Sequence, residues 1–292
     1  MTEDPPENFR DKFRSKIEGC ERLLAYSGGL LDDWPGRSVE NISDGLILAL
    51  FARSLDTTTA SVRLAADGYG AQASMLNRSL FEDMIDVHWV ATDEDEAKGC
   101  YRDHLQHGRM LLADAIVKYP EYYAEIELPG FVPAERKALD GDYGRFGHKS
   151  WTKVNLHERV TLVEDHWTEE AGRRTLHFFH DIAHRENNQT LHVSSATLGK
   201  KLEFSDDGEL ALLVGPSEDM VERALFGSFW ILDATVGLVL DRFGIDLDEE
   251  TRGAVFSARD FITLSEEQLR GTGRNERCPC GSGLKFKRCH GA

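Results

Sequence analysis

Apolar residues recur at helical spacing through nearly the whole chain, and this periodicity leaves little room for extended sheet. A first helix is predicted over Asn8 to Leu31, entered after Pro5-Pro6. Val39 to Ala66 carries a long stripe that includes Ile42, Leu46, Leu50 and Leu64, with a Thr-rich stretch, Ser54 to Ser61, placed to break it in two. Tyr69 to Thr92 sets Leu76, Leu80, Met84 and Val87 on one face. Asp93-Glu-Asp-Glu opens the next helix, which runs to about Lys118 ahead of Pro120; acidic residues in a first turn suit the helix dipole. Helices resume over Val154 to Trp167, Glu170 to Glu186, Glu218 to Phe243 and Glu249 to Ala258. Two segments break the pattern. Leu128 to Trp151 reads as a long Gly-containing loop holding a short helix near Ala134 to Leu139. Lys201-Leu-Glu-Phe and Glu209-Leu-Ala-Leu-Leu-Val flank Ser-Asp-Asp-Gly, which reads as a small β-hairpin. The fold class is therefore all-α, a multi-helix bundle with one small β-hairpin.

Length and charge bound the rest. The 292 residues suit one large domain with an appendage, and 41% hydrophobic against 29% charged is a globular balance. Lys plus Arg is 34 and Asp plus Glu is 51, a net charge of −17, which argues against a whole-body grip on nucleic acid or anionic lipid. The acidic N-terminus lacks the basic-then-apolar order of a signal peptide. The most apolar stretch, Ala224 to Leu240, is interrupted by Asp233, so it reads as a buried helix and no transmembrane segment is expected. Three of the five cysteines fall in the last fifteen residues, which fits metal binding in a reducing cytoplasm; Cys20 and Cys100 read as core thiols.

Those three cysteines form the sharpest motif. Cys278, Cys280, Cys289 and His290 occupy thirteen residues as Cys-x-Cys-x8-Cys-His. Zinc takes four N or S donors in a tetrahedron, and Pro279, Gly281 and Gly283 permit the tight turns that let close cysteines converge. Arg277, Lys285, Lys287 and Arg288 would favour the thiolates. The segment is too short for a core of its own, so the metal must organise it, and four protein donors leave no open coordination position. Gly273 to Gly291 closely resembles the SEC-C motif, named for the C-terminus of the bacterial preprotein-translocase ATPase. The resemblance implies one structural zinc on Cys278, Cys280, Cys289 and His290. It also implies a docking role, since in the translocase this motif docks a chaperone and touches phospholipid or ribosome. From Arg270 onward six residues are basic and one acidic, so the tail carries +5 and the remainder −22. A basic finger on an acidic body suits a protein partner with an acidic surface, or RNA. The expected organisation is a helical body (1–264), a linker (265–274) and a zinc-binding motif (275–292).

Two constellations mark the body. Four of the eleven histidines fall between 177 and 192, and His177, His180, Asp181 and His184 share an arc of roughly 60–70° on a helix. Such a face can chelate a metal, supply acid and base near neutral pH, or remain a solvated surface. Arg78, Glu82 and Asp86 follow at i, i+4 and i+8 beside Met75 and Trp89, the pattern of a half-buried ion pair. The Arg-Ser-Leu-Phe-Glu run (Arg78 to Glu82), Trp151 and the aromatic helix Phe178-Phe179 ending in His184 resemble the bacterial family of unknown function DUF5677, over roughly residues 40 to 240. His180 stands where that family commonly has a small hydroxyl residue, and the family brings no settled activity. The chain also offers the Arg–His spacing of HEPN-type ribonucleases three times, at Arg102–His107, Arg174–His180 and Arg185–His192. In that chemistry a cation stabilises phosphorane-like charge while His moves a proton. Arg78, Glu82, His180, His184, Arg185 and His192 are thus the catalytic candidates. P-loop, dinucleotide-binding, nucleophile-elbow and His-Glu-x-x-His signatures are absent. The leading expectation is a zinc-binding docking protein, and the alternative a metal-independent ribonuclease.

Overall fold

The computed structural model describes residues 8–32, 41–122, 133–144, 150–171, 175–181, 202–204, 210–212, 214–246, 258–259, 262, 268, 271–279 and 285–288. Its helices are α1 (Phe9–Lys12), α2 (Arg14–Asp32), α3 (Ile42–Ala66), α4 (Gly70–Thr92), α5 (Glu94–Lys118), α6 (Pro133–Tyr143), α7 (Leu156–Ala171), α8 (Thr175–Phe179) and α9 (Val221–Arg242). Strands β1 (Leu202–Phe204) and β2 (Leu210–Leu212) pair antiparallel, Leu202 opposite Leu212. The body is mostly helical.

Side-chain caps fix several helix starts. Asn41 accepts the Asp44 N–H (2.9 Å) to open α3, and Asp93 accepts the Glu96 N–H to open α5. Gly68 takes φ +82° in the α3–α4 turn, a conformation that suits glycine. The helix expected over Asn8 to Leu31 is interrupted at Phe13. The expected break at Ser54 to Ser61 does not occur, and α3 is continuous. There the hydroxyls bond within the helix, Ser54 to Leu50 O (2.9 Å) and Thr59 to Leu55 O (2.8 Å), and small buried side chains let neighbouring helices approach. The short helix expected at Ala134 to Leu139 is longer, and α6 runs to Tyr143, with the Gly144 N–H donating to Asp140 O just beyond it.

α3, α4 and α9 form the centre, with α2 packed on α3 and α9 and α7 packed on α4. Phe51, Leu80, Phe81, Ile85, Trp89, Leu225, Phe229 and Leu232 are fully buried there. One polar pin crosses it. Asn77 donates to Ala224 O (2.7 Å) and accepts from Ser228 (2.6 Å), whose hydroxyl lies 2.8 Å from that of Ser61. The buried polar side chains of this pin thus satisfy one another, as a low-dielectric interior requires. α9 is long and apolar enough to cross a membrane. Here it is a core helix, with Asp233 paired to Arg259 (3.0 Å) and Arg242 paired to Asp44 and Glu94 (2.8 Å each). α5 joins the centre chiefly through its N-terminal half and carries α6 on its side. Lys153 bonds Asp103 (2.7 Å) and Asp142 (2.8 Å), fixing the segment that leads from α6 to α7.

Candidate functional site

The Arg78–Glu82–Asp86 series of α4 does not act as one unit. Arg78 and Glu82 form a half-exposed pair (3.2 Å), whereas Asp86 is buried and turned toward α7. There it is ion-paired with Arg159 and accepts a hydrogen bond from Trp151 Nε1 (2.8 Å). Trp151 in turn sits edge-on to Trp89, ring centroids 5.7 Å apart. Arg159 is only 3% exposed, and burial pushes its guanidinium down to about 10 against the opposing pull of Glu82. Among the described residues its Nε has no hydrogen-bond partner. Arg159 was not anticipated from sequence. The available signal was a cation set among Leu156, Val160 and Val163 in the apolar phase of α7.

The histidine face is built on α7 and α8, next to α4. Glu164 is buried; one oxygen accepts the Leu176 N–H (2.8 Å) and the other contacts His177 Nδ1. His177 Nε2 lies 3.3 Å from the Thr161 hydroxyl, which also donates to His157 O (3.0 Å). The His157 ring lies 5.4 Å from that of His177 and 5.5 Å from that of His180. His180 is buried 6.5 Å from Phe81 of α4, with Nδ1 3.3 Å from Asp181 Oδ1. At His177 the buried Glu164 carboxylate faces Nδ1 and so favours the Nδ1–H tautomer, whereas Asp181 beside His180 is exposed. Imidazole and carboxylate are thus paired beside a hydroxyl whose proton goes to His157 O, so a general-base role toward Thr161 requires that hydroxyl to turn to Nε2.

Phe81, next to Glu82 on α4, lies beside His180 just beyond α8, ring centroids 6.5 Å apart. His184, Arg185 and His192, and Arg174 of the second spacing, lie outside the described residues. Arg102 and His107 are not brought together. Arg102 is exposed, while His107 is buried against Tyr143, ring centroids 5.3 Å apart. Among the described residues no group of three or more His, Cys, Asp or Glu side chains is placed to hold a metal ion. Cys20 and Cys100 are core thiols bonded to Leu225 O and Thr152 O. Burial raises both, that of Cys100 to about 12.

In the tail, residues 271–279 and 285–288 fold back on one another. Arg277 bridges antiparallel to Lys285, Phe286 N–H donates to Glu276 O (2.8 Å), and Lys287 N–H donates to Arg274 O (3.0 Å). The last turn, Phe286–Arg288, is a short 3₁₀ helix. Cys278 is buried, while Arg274, Arg277, Lys285, Lys287 and Arg288 are exposed. Cys280, Cys289 and His290 lie outside the described residues. A buried Cys278 sulfur, in a segment holding two more cysteines and a histidine, fits zinc by donor chemistry.

Comparison with known proteins finds matches to the body and to the tail. The model of a family of unknown function, DUF5677, matches residues 44–210, more than half of the chain. The SEC-C motif matches residues 274–292. The protein translocase subunit SecA of Nocardioides sp. is 50% identical over 46 residues, 16% of this chain and 4% of that protein. The SecA of Bordetella petrii is 24% identical over 234 residues, 76% of this chain and 24% of that protein. The chain therefore spans less than a quarter of the length of these curated relatives. No solved structure matches it.

Proposed function

Since the chain belongs to the DUF5677 family and ends in a SEC-C motif, we propose that it is a docking protein whose partner binds the zinc-organised tail. In this reading a helical body (1–264) carries the motif (275–292) on a linker (265–274). Cys278, Cys280, Cys289 and His290 would hold one zinc, which cross-links the turn and offers no open position. The observation that supports the reading is the charge of the folded-back tail. Its five exposed cations sit on a chain whose other residues sum to −22. Such a surface favours an acidic protein partner in a reducing cytoplasm, with RNA as the competing polyanion. The test is affinity capture and cross-linking with the full chain, wild type and Cys280→Ser, with and without ribonuclease. A partner lost on Cys280→Ser, with body melting unchanged, supports docking through the tail. A partner retained by the variant refutes it, and one lost on ribonuclease treatment transfers the role to RNA.

A second reading, ribonuclease-type acid–base chemistry, is supported by one observation, the Thr161–His177–Glu164 series. Arg78 or Arg185 would supply the cation, and His180, His184 or His192 the second proton carrier beside Glu82. RNA cleavage abolished by His177→Ala and Glu164→Gln, with the fold intact, would support it. Unchanged cleavage in both variants would remove it.

A further inference from the structure

The outer face of α5 is apolar and half-exposed, and no element among the described residues is packed over it. At about 100° per residue, Tyr101, Leu105, Gly108 and Leu112 fall within an arc of roughly 60°, spaced 4, 3, 4 as in a two-helix seam, and Tyr119 closes the line at the helix end. Tyr101, Leu105, Leu112 and Tyr119 are 39–44% exposed, and Leu111 at 52% widens the stripe. Arg102 and Arg109 project along one edge and Lys118 along the other, all exposed. The carboxylates of the same stretch are engaged elsewhere, Asp103 with Lys153 and Asp114 with Arg136. Among the described residues Arg102, Arg109 and Lys118 form no ion pair; Lys118 lies 5.0 Å from the Tyr119 ring centre. A strongly acidic chain thus presents here an apolar seam edged by cations that form no ion pair among the described residues.

Gly108 shapes the middle of the seam. Glycine is among the least favourable residues inside a helix, and one packing reason for it is a close neighbour that a Cβ would strike. A Cβ on Gly108 would meet nothing within 4 Å. The notch between Leu105 and Leu112 is open to the outside, where it can receive a bulky side chain from another molecule.

We propose that this face docks an amphipathic helix of a partner protein, one with acidic edges and a large apolar side chain seated on Gly108. Helix pairing at this spacing buries apolar surface, and acidic edges meet Arg102, Arg109 and Lys118. Two copies of this face would set like charges together, which disfavours self-pairing.

The probe is a synthetic amphipathic helix of about 21 residues with Leu along the seam and Glu at both edges, beside a twin carrying Lys at the edges. Binding to the full chain is read by fluorescence anisotropy. The Glu-edged peptide binds and the Lys-edged one does not. Leu105→Glu or Leu112→Glu weakens binding by about tenfold or more. Arg102→Glu with Arg109→Glu reverses the preference between the twins, a readout that loss of fold cannot imitate. Gly108→Ala raises the melting temperature yet weakens the peptide. The proposal is overturned by equal binding of both twins, by a preference that survives the charge swap, or by absence of saturable binding. Binding of anionic phosphatidylglycerol vesicles through these residues in place of the peptide, or dimerisation abolished by Leu112→Glu, would also overturn it.

Discussion

Replacing Asp86 by Ala isolates the buried charge that joins α4 to α7. The substitution removes the ion partner of Arg159 and the acceptor of Trp151 Nε1. Arg159 is almost wholly buried, so it cannot recover its hydration without opening the α4–α7 interface. Breaking a buried pair from one side costs about 3–5 kcal/mol, and an orphaned indole N–H adds about 1. The expected loss is therefore about 5 kcal/mol, a large part of the roughly 5–15 kcal/mol that holds a protein folded. The assay is urea unfolding followed by circular dichroism at constant slope. Removing both charges in Asp86→Leu with Arg159→Met deletes the uncompensated cation and refills its volume. The double variant should lie within about 2 kcal/mol of wild type. A single variant costing less than about 1 kcal/mol, or a double variant as unstable as the single, would refute the reasoning.

Three further outcomes follow from other sites. Burial between α4 and α9 holds the His88 imidazole down to about 3, so the unfolded chain takes up a proton that the folded one refuses. Stability from this group is complete above about pH 6.5 and falls toward pH 3, by on the order of 4 kcal/mol; His88→Gln flattens that slope in acid titrations of unfolding. Gly70 faces the start of α9, where a Cβ would sit 2.3 Å from Val221 N and 2.4 Å from Asp219 O, so Gly70→Ala should cost about 3 kcal/mol in the same unfolding assay. Cys20 and Cys100 are buried thiols raised by burial, so iodoacetamide at pH 8 should leave both unlabelled in the native chain and label both in urea, read by peptide mass.

Periodicity made the long helices legible because α3, α4, α5 and α9 each keep an apolar phase over many turns. It misjudged Ser54 to Ser61, where hydroxyls satisfied within the helix cancel the usual competition from Thr and Ser. The tail was legible for a different reason, since four metal donors at fixed spacing mean little else in so short a segment. The buried cluster was only half legible. Arg78 and Glu82 announced themselves by i, i+4 spacing, and they do pair. The partners of Asp86 lie 65 and 73 positions further on, at Trp151 and Arg159, and no local pattern links such distances. Glu164 escaped notice likewise, because its partner His177 comes from the next helix, 13 positions on, and no local pattern links the two.

The central claim is that the tail is the metal-organised docking unit of the chain. Elemental analysis of the intact protein, and of a version ending at Leu264, tests it most directly. The account expects one zinc per intact chain and none in the shortened one, whose helical melting should be unchanged. Zinc retained after removal of the tail, or an intact chain that binds none, would contradict it.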